Sequence, residues 1–328
     1  MFDFIRDVFS VPFGYLIGFF YDISNNYLFS LLLMTICVKL ILLPSSIKQQ
    51  KSMVKTQRMQ PKLKRIREKY AGNQQKMQEA MNELYSREGY SSMTGGCLPL
   101  LIQFPIMMGV YSVNYKLLSY VLRIEESVLN IIKDAGRTLE AYTSLIPDSG
   151  NTSNAEYRLE SIIIEHFDTL VADGKLSSVP QEIISEIKTF IDNFTIFGVN
   201  LSRTPDINMG WNLLWLIPIL TGITSLAMGI YTYIRQKKTN PEMAKNPSMG
   251  CMSLMTPAMS IYFSFLFPAS VGVYIIISNV LSFIQMVITN KVFAPKKMLA
   301  KSMVDETINR RARERILKNS AEKINDEE

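Results

Sequence analysis

Apolar residues are crowded into a few long runs, and that crowding limits the folds open to this chain more than any other feature. A helix needs about 20 mostly apolar residues to cross the hydrocarbon core of a bilayer. Four stretches approach or exceed that length: Tyr27 to Ile47, Leu98 to Leu122, Trp211 to Ile234, and the block from Cys251 to Phe293. The last is too long for one crossing, and Pro268, with Ala269 and Ser270 just behind it, divides it into two helices joined by a tight turn. Five spans are therefore expected. Apolar residues make up 48% of the 328, beside 20% charged, so the charge has to lie between the spans.

The distribution of Lys and Arg predicts the orientation. Residues 44–94 carry 11 Lys/Arg against 4 Asp/Glu, residues 233–250 carry 4 against 1, and residues 291–328 carry 10 against 7. Residues 121–210 carry 7 against 14. Alternate crossing places the three basic segments in the cytoplasm and the acidic one outside, with the N-terminus outside and the C-terminus inside. The net charge of +6 is then a consequence of topology, and specific nucleic-acid binding is not expected.

In chain order, residues 1–24 read as an interfacial amphipathic helix, retained and not cleaved because Asp3, Arg6, Asp7 and Pro12 interrupt any signal-type core. A first span follows at 25–47 and a cytoplasmic helical hairpin at 48–94, with Ala71, Gly72 and Asn73 as its turn and Pro61 marking a first turn or kink. The hairpin's apolar stripes are Met59, Leu63, Ile66, Tyr70 and Met77, Met81, Leu84, which suit either a self-packed pair or an arm that meets a partner. A second span is expected at 95–122 and an extracytoplasmic acidic helical region at 123–208. A third span (209–234), a cytoplasmic loop (235–250), a fourth span (251–267), a fifth (269–293) and a basic cytoplasmic tail (294–328) complete an all-α polytopic membrane protein.

Motifs for catalysis are missing from the sequence. It has no phosphate-binding loop, no nucleophile elbow and no zinc-protease pattern, and its one histidine, His166, has no Cys or His beside it in sequence. No cofactor, metal or enzymatic activity is expected. The spans lack Asp and Glu altogether, which argues against a carboxylate proton relay. What they do hold is Lys39, in "TICVKLILLP", together with hydroxyl and amide groups at Thr35, Gln103, Asn114, Thr221, Thr224, Ser225, Ser278, Asn279 and Gln285. A lysine at the bilayer centre costs about 2.5 to 3.5 kcal/mol on insertion scales. Nine residues separate it from Lys48, a depth of roughly 14 Å. Two readings follow: the side chain snorkels, or it lines a water-filled groove open to the cytoplasm.

The segments "VKLILLPSSIKQQKSMVKTQRMQPKLKRIREKY", "LYSREG", "GGCLPLLIQFPIMMGVY", "VNLSRTPD", "WLIPILTGIT" and "FPASVGVYIIISNVLSFIQ" occur in that order. Together they closely resemble the YidC insertase family, relatives of the mitochondrial Oxa and chloroplast Albino proteins. The resemblance covers residues 27–120 and 197–292. It implies a five-helix core around a hydrophilic groove that inserts membrane proteins, alone or beside the Sec translocon. On this basis the groove would comprise Lys39, Thr35, Gln103, Thr224, Ser225, Ser278 and Asn279. Apolar residues on the second and fourth spans, Met107, Tyr111, Met259 and Phe263, would be a slide for the nascent helix; lipid contact or core packing is the alternative for those four. The implied partners are nascent membrane proteins, lipids, the Sec translocon and the ribosome, the last met by the basic tail. Lys39 stands where the family has arginine, which keeps the charge but loses the planar fork of donors. The acidic outer insertion has no recognised counterpart.

Overall fold

A reversal at Asn25 and Asn26 organises the N-terminal third. Asn25 sits in the left-handed region at φ 47°, a conformation Asn tolerates, and the Asn26 side chain accepts from Phe29 N at 3.0 Å to cap the next helix. The computed structural model describes residues 2–87, 98–146, 152–205, 210, 212–239, 247–292, 300, 304 and 307–315. Helix α1, Phe2–Ser24, folds back from this turn along α2, Tyr27–Lys69, and along α4, Leu98–Tyr115. Its Ile17 and Tyr21 are buried, while Val8, Val11, Tyr15, Phe19 and Ile23 form an exposed apolar stripe. Close approach depends on Gly14, where a Cβ would lie 2.6 Å from that of Tyr120.

At 43 residues, α2 is about 65 Å long, roughly twice the thickness of a hydrocarbon core. Pro44 and Pro61 both lie inside it, so the first apolar segment continues without a break into the first arm of the hairpin. Tyr70 to Asn73 make the turn, and Asn73 Oδ1 accepts from Lys76 N at 3.0 Å to start α3, Gln74–Arg87. Along this hairpin Met59 and Leu63 are buried and the charged face is open.

After α4, a departure from helical geometry at Lys116 separates off α5, Leu117–Tyr120. The acidic region then builds its own core from α6 (Glu126–Arg137), α7 (Glu140–Thr143), α8 (Ser153–Glu165), α9 (Phe167–Ala172) and α10 (Gln181–Phe194). Ile184, Ile187, Phe190 and Phe194 recur at helical spacing along α10 and are all buried. Gly136 lets α6 press on α8, since a Cβ there would come within 2.5 Å of Ile163 Cγ1. Among the described residues this region also holds a short hairpin: β1 (Thr195–Ile196) and β2 (Val199–Asn200) pair antiparallel, with Phe197 at φ 50° and Gly198 at φ 78°. Two left-handed residues make the mirror-image turn that matches strand twist.

This region is seated firmly on the apolar helices. Glu160 is almost fully buried; it accepts from Ser119 N at 3.0 Å and from Ser119 Oγ at 2.5 Å, and pairs with Lys133 at 3.1 Å. The Tyr27 ring lies 4.7 Å from that of Phe194, and its hydroxyl donates to Asn114 Oδ1 at 2.7 Å. Arg123 and Asp22 form an ion pair between the region's entry and α1. Carbonyls of Leu201 and Arg203 accept from Ser270 N and Ala269 N at 3.0 and 2.8 Å, which caps the last apolar helix.

A 3-10 turn at Leu213–Trp215 leads into α11, Leu216–Thr239. Helices α12, Pro247–Leu266, and α13, Ala269–Val292, meet at Pro268. Among the described residues, Tyr27–Gln49, Leu213–Arg235 and Ala269–Val292 are long and apolar enough to cross a membrane, and Pro257–Leu266 is a shorter apolar helix. Outward-facing Leu40, Ile41, Ile223 and Ile288 are each more than half exposed, as lipid-facing side chains would be. The all-α polytopic architecture is thus present. The side chain of Gln103, the linker with its glycine pair, residues 240–246 of the 235–250 loop and most of the 294–328 tail lie outside the described residues.

Candidate functional site

The polar positions of α13 recur at helical spacing: Ser278, Ser282, Gln285 and Thr289 are 4, 3 and 4 apart, with Asn279 alongside. Three of them, Asn279, Ser282 and Gln285, reach neighbouring helices, while Thr289 bonds back to Gln285 O within α13. Asn279 Nδ2 donates to Ser225 Oγ at 2.8 Å and to Thr224 Oγ1 at 3.3 Å, both on α11. Lys39 Nζ donates to Ser282 Oγ at 2.7 Å, from α2. Gln285 Nε2 donates to Ser46 Oγ at 3.2 Å, two turns further along α2. A polar seam therefore runs through apolar helices, with one ammonium in it. Among the described residues no carboxylate pairs with Lys39, which is consistent with spans free of Asp and Glu.

Some of the expected groove residues assemble and others do not. Lys39, Thr224, Ser225 and Asn279 lie on the seam, and Ser278 sits one turn before Ser282, largely buried. Thr35 is buried too, but its hydroxyl donates to Leu31 O at 2.6 Å and is spent on its own helix. Ser46 and Ser282 were not singled out from the sequence, although the 278, 282, 285, 289 spacing points to Ser282. Thr221, also buried, donates to Gly272 O at 3.4 Å and ties α11 to α13.

The four slide candidates divide in the same way. Tyr111 and Phe263 are joined through Phe267: the Tyr111 and Phe267 ring centroids are 4.5 Å apart, and Phe263 stacks on Phe267 at 5.4 Å. Met107 is half-buried on α4, and Met259 is exposed on α12. Phe267, the hinge of this group, was missed; its i, i+4 relation to Phe263 is the signal that could have found it.

A single cation amid neutral donors and acceptors can attract and orient an anionic or polar group, but it offers no acid and base pair for proton transfer. Fold and site together define a polytopic helical membrane protein with a polar seam among its apolar helices. The chain belongs to the 60Kd inner membrane protein family, whose model matches residues 19–297. Relatives bearing the name membrane protein insertase YidC include those of Wolinella succinogenes (42% identical over 107 residues, 33% of this chain and 20% of that protein) and Helicobacter pylori (40% over 100 residues, 30% and 18%). The Brucella suis relative of the same name is 40% identical over 104 residues, 32% of this chain and 17% of that protein. The chain spans about a fifth of the length of the curated relatives it matches.

Proposed function

We propose that this protein is a membrane protein insertase that works without a covalent step. The observation that carries this reading is the Lys39 to Ser282 contact, a charge held inside an apolar helix pair with no counter-charge among the described residues. Membership of the 60Kd inner membrane protein family supports it, as does the name shared by the relatives.

A polar or acidic segment bound for the outside meets a large desolvation cost in bare lipid. The seam along α13, hydrated from the cytoplasm, lowers that cost, and Lys39 adds a favourable field for acidic segments. The substrate's apolar segment passes the Tyr111, Phe267 and Phe263 side and leaves laterally into the bilayer. In this reading α2, α4, α11, α12 and α13 supply five spans of a bacterial plasma-membrane protein, with the N-terminus outside and the C-terminus in the cytoplasm. The hairpin of α2 and α3 receives the substrate, the basic tail meets the ribosome, and the Sec translocon is a partner for some substrates.

Depletion of the protein, followed by protease accessibility of small one-span and two-span membrane proteins, tests the proposal. Outer tails that stay protected from added protease after depletion support it. Unchanged accessibility across the substrate set would overturn it.

A further inference from the structure

The outer insertion reaches the upper end of the aromatic group just described. On α8, the Tyr157 ring lies 5.8 Å from Tyr111 and 5.3 Å from Tyr115, so a continuous run of rings leads from Phe263 on α12 through Phe267 and Tyr111 to the insertion. Arg158 closes this run, its guanidinium 5.7 Å above the Tyr115 ring. Its Nε is buried without a hydrogen-bond partner among the described residues.

That isolation is not for want of carboxylates. α8 carries three, and each is engaged by a different cation: Glu156 by Arg137 at 2.8 Å, Glu160 by Lys133 at 3.1 Å, and Glu165 by Arg203 at 3.1 Å. Arg158 is thus the one charged side chain of α8 left without an ionic partner among the described residues, within a stretch where acids outnumber bases 14 to 7. A ring face steadies a guanidinium but leaves its edge donors unused. Those donors have the fork geometry that matches a carboxylate.

We propose that Arg158, seated on Tyr115 at the outer end of the aromatic run, receives carboxylates of the acidic segment as it is delivered outward. The inference rests on the insertase reading and extends it: Lys39 attracts the segment at the inner side, and Arg158 takes it at the exit. The site favours an extended peptide bearing Asp or Glu, because an aromatic path leads to it from the proposed slide.

Purified protein in vesicles, tested with a one-span reporter whose outer tail holds zero, one or two Asp residues, decides the matter. Arg158→Gln should slow insertion by a factor that grows with each Asp, to about tenfold for two, and Arg158→Lys should fall between it and wild type. An equal loss for all three tails would assign Arg158 a merely structural role and overturn the proposal. Wild-type rates for Arg158→Gln, with Lys39→Ala still showing a charge-graded loss, would remove the exit site while leaving the insertase reading intact. A graded loss seen only in vesicles with anionic lipid, and absent in purely zwitterionic ones, would reassign Arg158 to a lipid headgroup and likewise overturn it.

Discussion

Lys39 donates a 2.7 Å hydrogen bond from its ammonium to Ser282 Oγ, joining the first and last apolar helices across 243 residues of sequence. The contact ties a charge that is costly in lipid to a polar seam that continues through Gln285 and Asn279. It also makes a forecast that separates a groove cation from a snorkelling one.

Lys39→Ala should slow insertion of a reporter with two acidic residues in its outer tail about tenfold, equivalent to about 1.4 kcal/mol, and slow an uncharged tail much less. Lys39→Arg should keep most of the activity because the charge survives. Ser282→Ala should have a smaller effect, about fivefold, in line with roughly 1 kcal/mol for one hydrogen bond. Adding it to Lys39→Ala should cost little more, since both act through one contact. Equal rates for wild type and Lys39→Ala across the tail series would mean that the lysine only snorkels.

Glu160 should control how well the outer region is seated. Removing it leaves Lys133 without its partner and Ser119 N–H without an acceptor. Truncating one side of a fully buried pair costs about 3 to 5 kcal/mol; Lys133 is a quarter exposed, so Glu160→Ala should cost less, about 2 kcal/mol. Thermal unfolding of the detergent-solubilised protein, read by protease cleavage within residues 126–194, should shift down by several degrees. A midpoint unchanged within a degree would show that other contacts hold the region.

Acid should weaken the same region through Glu156. Hydrogen bonds from Arg137, at 2.8 and 3.0 Å, and one from the Tyr142 hydroxyl at 2.5 Å hold its carboxyl below the usual carboxylate range. The unfolded chain titrates near ~4.3, so the stabilisation is complete above that pH and is lost as pH falls towards the lower folded value. The pair is more than a third exposed and screened by water, which limits its worth to at most about 1 kcal/mol. Glu156→Gln should therefore lower the unfolding midpoint at pH 7, and its difference from wild type should shrink as pH falls below about 4.3. A difference that persisted or grew in acid would contradict the assignment.

Orientation is open to direct labelling. Ser177 in the outer region and Asn73 at the hairpin turn are both exposed. In a background lacking the three native cysteines, Ser177→Cys should react with an impermeant maleimide added to intact cells, and Asn73→Cys only after lysis. The reverse pattern would invert the topology and remove the proposed cytoplasmic entry.

Much of this protein was set by local sequence. The lengths of the apolar runs, the break at Pro268 and the reversal at Asn73 depend on hydropathy and on side chains a few residues apart, as does the helical spacing of Ile184, Ile187, Phe190 and Phe194. Lys39 announced itself because a charge in an apolar run has a cost whatever surrounds it. Tertiary structure decided the partners. Spacing says which residues share a helix face, but not which neighbour that face meets or at what height, so the pairing of Ser282 with Lys39 and of Ser46 with Gln285 became visible only when α2 and α13 lay side by side. Phe267 links the two slide helices for the same reason. The isolation of Arg158 was further from reach: it follows from three ion pairs formed by other residues, and charge left over is a property of the assembled whole, not of any segment.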